Sequence, residues 1–362
     1  MPIQPIRTAI IGCGNVAGSY ASNIKHYPEI ELIGFYDIIP ERATQFAEQY
    51  GGKAYPSLEE LLADAGVELV VNLTIHSAHV EIIRRCLLAG KHVHTEKPMA
   101  LDGAEARALV ALADEQGLRL SSAPITYMGE AQQTAWRCIR EGKLGTVRLI
   151  YAEVNHGRIE IWHPNPEPFY QVGVLWDVSV YPLTLLTTFF GPITAVSAFG
   201  RVLYPDRVTN EGRPFHISAP DYSVISLELA NGAIARLTAN FYVRGGKQGS
   251  GLEFHGDIGS LYLSNFQQFN ASVEYADYGE SYQPVPLLRP PFEGTEYSRG
   301  VQELAIAMQQ GRPQRATGAQ AAHVIDVLCA IHQSMREGQR VSVTSTFTPP
   351  IPMDWALEPA IA

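Results

Sequence analysis

The residues of this chain best suited to chemistry are a lysine and a pair of glycines. The stretch Ala89-Gly90-Lys91-His92-Val93-His94-Thr95-Glu96-Lys97-Pro98 puts Lys97 where an apolar strand should end. A lysine before proline is commonly just a solvated turn. Upstream, however, Gly12-Cys13-Gly14-Asn15-Val16-Ala17 has the form of a dinucleotide-binding loop, and a nicotinamide lying near Lys97 changes that reading. An ammonium there can donate to a substrate oxygen and stabilise the alkoxide that develops as hydride leaves or arrives. Glu96 is placed to orient it. Together the two segments point to hydride transfer at a carbon bearing oxygen; neither does so alone.

The cofactor reading rests on four separated pieces. Gly12 and Gly14 allow a tight turn whose backbone amides approach a pyrophosphate without interference from Cβ atoms, with Asn15 and Val16 alongside and Ala17 in the small-residue position. A glycine turn of this kind is weak by itself. Asp37 closes the next strand, where a carboxylate accepts from both ribose hydroxyls and repels a 2'-phosphate, so NAD is expected rather than NADP. Ile38, Ile39 and Pro40 follow it, with no arginine immediately after; Arg42 is within reach of the adenosine end. Thr74-Ile75-His76-Ser77-Ala78-His79 ends a further strand and opens a helix, so Thr74, Ile75, His76 and His79 are expected to line the same edge with Glu96 and Lys97. Four histidines, His76, His79, His92 and His94, invite a metal reading. No cysteine or carboxylate cluster completes a coordination sphere around them, and no metal is expected.

These residues need a scaffold, and the first third of the chain supplies one. Strand signals at Thr8–Ile11, Glu31–Tyr36, Glu68–Leu73, before Glu96 and at Leu118–Ser121 alternate with helical stretches from about Val16 to His26, from Pro40, from Ser57, from Ala78 to Leu88 and from Asp102 to about Glu115. Ser57 with Glu60, and Asp102 with Glu105, have capping-box spacing. The alternation predicts a doubly wound parallel sheet covered on both faces. After Pro124 the pattern changes. A helix over Glu130–Glu141 precedes long strand-rich stretches; Ala235, Leu237, Ala239 and Phe241 alternate with Arg236, Thr238 and Asn240 after a turn at Ala230–Ala233, as in a half-buried antiparallel strand. Tyr297–Gln310 and Ala319–Glu337 read as late helices. Two domains are expected, 1–124 for the cofactor and 125–362 for substrate and oligomerisation, the second built on a large open, mostly antiparallel sheet.

Composition narrows the partners. With 362 residues, 46% of them hydrophobic, the chain can bury two cores. A net charge of -10 disfavours nucleic acid or an anionic membrane surface and favours small molecules. Cys13, Cys86, Cys138 and Cys329 are scattered, which suits reduced thiols in a cytoplasm. The N-terminus has no leader pattern, and no apolar run is read as long enough to cross a bilayer.

The glycine loop, Asp37, the Thr74–His79 segment and the Glu96-Lys97-Pro98 triplet resemble the glucose-fructose oxidoreductase, inositol dehydrogenase and rhizopine-catabolism family across most of the chain. The resemblance implies NAD(P)-dependent oxidation or reduction of sugars, cyclitols and related diols, with Lys97 as the catalytic lysine. Members carry Asp-x-Gly-x-His, or a tyrosine in the last place; here Trp176-Asp177-Val178-Ser179-Val180-Tyr181 matches the tyrosine subset. That implies Tyr181 as proton donor and acceptor, with a nearby ammonium favouring its phenolate, Asp177 as a positioning group and Trp176 on the cofactor side. Asp177, Tyr181 and Thr184 share a helix face by spacing. Relatives pack the open face of their sheet against a neighbour, which implies a homodimer or homotetramer.

Two departures stand out: Ser179 replaces the usual glycine, and Pro124–Glu130 lacks the common Asn-x-Arg-Phe pattern. Tyr127 in that segment, with Arg158, Trp162 and His163 in the aromatic and cationic stretch His156–Pro166, is assigned to substrate alongside Lys97, Asp177 and Tyr181. Trp162 is suited to stack on the apolar face of a sugar ring or to anchor an interface. The expected activity is hydride exchange between nicotinamide and a secondary alcohol or ketone of a sugar, cyclitol or glycoside. Alternatives are NAD-dependent redox-assisted glycoside cleavage and a non-catalytic NAD-binding regulator.

Overall fold

A computed structural model describes residues 4–246 and 249–357. The first unit holds strands β1 (Ile6–Ile11), β2 (Ile30–Tyr36), β3 (Lys53–Ala54), β4 (Leu69–Asn72), β5 (His92–Thr95) and β6 (Leu120–Ser122). Between them lie helices α1 (Ala17–Ile24), α2 (Pro40–Tyr50), α3 (Leu58–Ala63), α4 (His79–Leu88) and α5 (Gly103–Glu115). The strands pair in parallel in the order β3-β2-β1-β4-β5-β6, the doubly wound arrangement expected. Helix starts follow local chemistry: Ser57 accepts the Glu60 amide at 3.2 Å, and Asp102 accepts the amides of Ala104 and Glu105 at 2.8 and 3.0 Å. Pro40 stands at the first turn of α2, where its missing N–H costs nothing.

The second unit contains α6 (Glu130–Arg140), β7 (Val147–Asn155), α7 (Glu167–Val174), α8 (Val180–Phe190), β8 (Ile193–Arg201) and a separate two-stranded hairpin of β9 (Asp206–Val208) and β10 (Pro214–His216). Strands β11 (Tyr222–Leu229), β12 (Ile234–Asn240), β13 (Leu252–Gly256), β14 (Gly259–Leu263), β15 (Val273–Asp277), β16 (Gln283–Pro284) and β17 (Val341–Ser342) complete it. Nine strands form one sheet in the order β16-β15-β14-β13-β7-β12-β11-β8-β17, antiparallel except where β12 meets β7. The period-two reading of β12 holds: Ala235, Leu237 and Ala239 are fully buried.

The last two helices, α9 (Arg299–Gln310) and α10 (Gly318–Glu337), depart from a single cut after residue 124. Chain packing groups Glu296–Ile325 with the described residues up to Ile125, and the division falls inside α10. Val301, Leu304 and Ala305 of α9 join the core formed by Ile10, Leu69 and Val71. An amphipathic helix advertises its apolar face but not which sheet that face will cover.

The helical run Glu167–Phe190, interrupted at Gly173, is long and apolar enough by composition to cross a bilayer. Two thirds of its most apolar window is buried within the protein, so its hydropathy reflects a core position.

Candidate active site

In the first sheet the strand order reverses between β1 and β4, the place where open parallel sheets bind ligands beyond their carboxyl ends. Gly12 follows β1 there. Its φ of 94° is left-handed, and a Cβ would stand 2.7 Å from the Leu73 carbonyl carbon at the end of β4. Gly14 is different: nothing lies within 4 Å of its Cβ position, so its smallness leaves open space beside the start of α1. No side chain caps that helix after Val16, and Gly14 and Asn15 are exposed. Uncapped first-turn amides facing open space fit a pyrophosphate.

The Asp37 carboxylate accepts the Cys13 amide at 2.7 Å and, through its other oxygen, the Ile39 amide at 2.8 Å. It is therefore buried and oriented by the loop before any ligand arrives. Burial, and then the Asp37 charge, push the Cys13 thiol up to about 12, which leaves it an inert packing group. Ile38 and Ile75 are 85% and 70% exposed. Apolar side chains so bare at a ligand edge are suited to flank a flat ring. Arg42 is also exposed, in the first turn of α2.

At β4 and β5 a polar lattice orders the edge. Asn72 donates to Thr95 Oγ1 at 3.1 Å, and its carbonyl oxygen accepts the Thr74 hydroxyl at 2.7 Å. Glu96 accepts the Tyr20 hydroxyl at 2.8 Å on one oxygen and the Lys97 backbone amide at 3.0 Å on the other. Glu96 thus positions the half-buried Lys97 through the main chain. Tyr20 and Tyr297 stand near Glu96 without any local signal in the sequence. Their rings lie 5.9 Å apart, and burial followed by the Glu96 charge pushes the Tyr297 phenol up.

The histidines do not act together. His79 is 1% exposed, its ring nitrogens 2.7 Å from the Pro98 carbonyl and 3.0 Å from that of Thr74. It clips the two edge loops together, and burial holds its pKa down; the expected side-chain contact with cofactor gives way to this role. His94 is wholly buried and bonded to Ser121 Oγ at 2.9 Å, and His92 Nδ1 accepts the Arg119 amide. His76 remains half-exposed at the edge.

In the second unit Asp177 lies in a π-helical turn, Leu175–Ser179, and Tyr181 in the first turn of α8. The wider turn, common at functional sites, is stitched by Ser179, whose hydroxyl donates to the Val174 carbonyl at 3.3 Å. Ser179 is thus accommodated where a glycine was expected. Asp177 and Tyr181 are half-buried among neighbours that are mostly fully buried, and the Tyr181 ring is 6.2 Å from Phe266. Thr184, by contrast, is buried, and its carbonyl accepts from Thr187 and Thr188. Trp176 stacks on His332 at 5.9 Å. Tyr127, expected at the substrate, is 1% exposed within a short 3-10 turn; its ring is core. Trp162 is 46% exposed in a cluster with His156, His163 and Phe169, and Arg158 is half-exposed beside it in the chain. His163 Nδ1 faces its own turn at Asn165.

Comparison with known proteins identifies the family. Residues 6–123 match the model of an oxidoreductase family with an NAD-binding Rossmann fold, and residues 132–262 match the GFO/IDH/MocA C-terminal domain. The chain is 31% identical over 205 residues to a trans-1,2-dihydrobenzene-1,2-diol dehydrogenase of Mus musculus, a stretch covering 54% of this chain and 60% of that enzyme. It is 30% identical over 241 residues to a UDP-N-acetylglucosamine 3-dehydrogenase of Acidithiobacillus ferrooxidans, covering 66% and 68% of the two chains. A levoglucosan dehydrogenase solved with NADH and L-sorbose shares the fold at TM-score 0.83 and 19% identity, over 94% of this chain and all of the other.

Proposed function

This chain belongs to the GFO/IDH/MocA oxidoreductase family, and from that premise we propose that it is an NAD-dependent dehydrogenase or reductase of a sugar, cyclitol or glycoside. The observation that carries the reading is Lys97 at the carboxyl end of β5, its amide held by Glu96 on the ligand edge of the parallel sheet. The nicotinamide, when bound, supplies the hydride acceptor or donor. Lys97 donates to the substrate oxygen and lowers the cost of its negative charge. Tyr181 exchanges the hydroxyl proton, and Asp177, one helical turn before it, positions the pair. Arg158, Trp162 and His163 bind the polyhydroxylated substrate.

Asp37 selects NAD. Each of its oxygens takes one loop amide and keeps a second lone pair for a ribose hydroxyl, whereas a 2'-phosphate would meet a buried negative charge. The enzyme works in the cytoplasm as a homodimer or homotetramer. Leu149 and Ile234, adjacent on β7 and β12 and 44% and 45% exposed, support association through the open sheet.

The test is a panel of sugars, cyclitols, glycosides and trans-diols with NAD, following NADH and sugar release together. Stoichiometric NADH from one class is the expected result. Sugar released without net NADH points to redox-assisted cleavage instead. Tight NAD binding with no absorbance change on any compound removes the dehydrogenase reading.

A further inference from the structure

The second unit carries a buried charge cluster that the proposed reaction does not use. Arg207 of β9 has no exposed side-chain surface; its guanidinium donates to Glu160 at 2.9 Å, to Asp221 at 2.5 Å and to the Tyr170 hydroxyl at 2.7 Å. The same hydroxyl bonds Glu160 and accepts the Ile159 amide at 3.2 Å. Buried ion clusters of this kind add little stability over apolar groups of equal volume, so their main effect is on geometry. What Arg207 fixes is the 156–170 loop.

Two more contacts from the same hairpin grip that loop from outside. Asn210 donates to the Ile161 carbonyl at 2.7 Å, and Arg213 pairs with Glu167 at 2.6 Å. The attachments at residues 160, 161 and 167 bracket Trp162. Aromatic contacts complete the circuit, running from Phe215 of β10 to Tyr170 at 5.7 Å, to Phe241 at 5.4 Å, to His156 at 5.6 Å and on to Trp162 at 6.0 Å. Trp162 is the exposed end of this chain of rings.

We propose that the β9–β10 hairpin is a clamp that sets substrate selectivity, with Arg207 as the positioning residue that holds the loop so that Trp162 meets a ring-shaped polyol in one orientation. The clamp orders the loop before substrate arrives, so binding does not have to supply that ordering. This rests on the reading of Trp162 as a substrate contact.

Three variants of the full chain separate the possibilities, with D-glucose, myo-inositol and levoglucosan as probes and amide hydrogen exchange over 156–170 as a readout independent of turnover. Asn210→Ala with Arg213→Ala alters exposed positions and leaves the buried cluster intact. It should speed exchange in the loop and raise KM for the preferred probe about tenfold, the size of one or two lost contacts, with kcat and NAD affinity unchanged. Arg207→Met with Glu160→Gln and Asp221→Asn removes the charges together, leaves none unpaired, and should flatten the preference among the three probes. Unchanged exchange and unchanged KM in both overturn the clamp. If Trp162→Ala raises KM while neither clamp variant does, the substrate loop stands and the clamp alone falls. If Trp162→Ala leaves KM unchanged, or the wild type neither binds nor turns over any probe, the substrate reading falls and takes the clamp with it.

Discussion

The hydroxyl of Tyr20 donates to the Glu96 carboxylate at 2.8 Å, tying the first helix of the cofactor unit to the strand end that carries Lys97. Glu96 has its other oxygen on the Lys97 amide, so a residue 76 positions away in the chain steadies the lysine's backbone. Hydrogen bonds to a charged acceptor contribute about 1.5–3 kcal/mol.

Lys97→Met should therefore abolish turnover while NAD still binds, and Tyr20→Phe should lower kcat about tenfold with cofactor affinity retained, by loosening Glu96. Steady-state kinetics with cofactor titration checks both. A Lys97→Met enzyme that keeps wild-type kcat removes the lysine from the mechanism.

The two loop glycines should fail differently. A methyl at Gly12 meets the Leu73 carbonyl carbon at 2.7 Å and sits on a left-handed backbone, so Gly12→Ala should lower the melting temperature. Gly14 has open space where the methyl would go. Gly14→Ala should leave thermal stability unchanged and weaken NAD binding, because the ligand takes that space. Thermal melts with and without NAD distinguish the two, and equal melting losses in both would count against a pyrophosphate at Gly14.

Asp37 serves the loop and the proposed ribose site at once. Asp37→Ala leaves the amides of Cys13 and Ile39 without their acceptor and should cost about ten- to a hundredfold in NAD affinity. Asp37→Asn removes the charge while keeping one acceptor oxygen, so the ratio of NAD to NADP affinity should fall towards one. Calorimetric titration of both cofactors measures it; an unchanged ratio means that Asp37 does not select.

Acid should destabilise the protein through its buried imidazoles. Burial lowers the pKa of His79, His92, His94 and His332, with His94 down at about 3. The unfolded chain takes up protons below about pH 6.5 that the folded chain refuses. Stability is accordingly full above that pH; the His94 contribution is lost as pH falls from about 6.5 towards 3, by up to about 1.4 kcal/mol per pH unit, and His79, His92 and His332 act in the same direction. Urea melts at several pH values should show this slope, and His94→Asn, whose amide can keep the bond to Ser121, should flatten it. An identical slope in the variant would remove His94 as a contributor.

Much of the scaffold was written locally. Alternating runs marked the parallel strands, Ser57 and Asp102 announced their helices, and the period of two in Ala235, Leu237 and Ala239 marked a half-buried strand, because each signal lies within a few residues of the backbone it shapes. Gly12, Asp37 and Lys97 could be placed at one edge for the same reason: each lies just past the carboxyl end of a strand, and those ends share one edge in a parallel sheet.

Contacts between distant residues left no such trace. Whether α9 covers the first sheet, whether Tyr127 faces inward and whether His79 clips two loops depend on which surfaces meet after collapse. The bond from Tyr20 to Glu96 and the placement of Arg207 between Glu160 and Asp221 have no period and no fixed spacing. The sequence by itself determined the elements and the residue types at their ends, since backbone periodicity and capping act over one or two turns. The tertiary structure decided which polar groups find partners, since burial makes an unpaired group costly and only the folded packing says who is near.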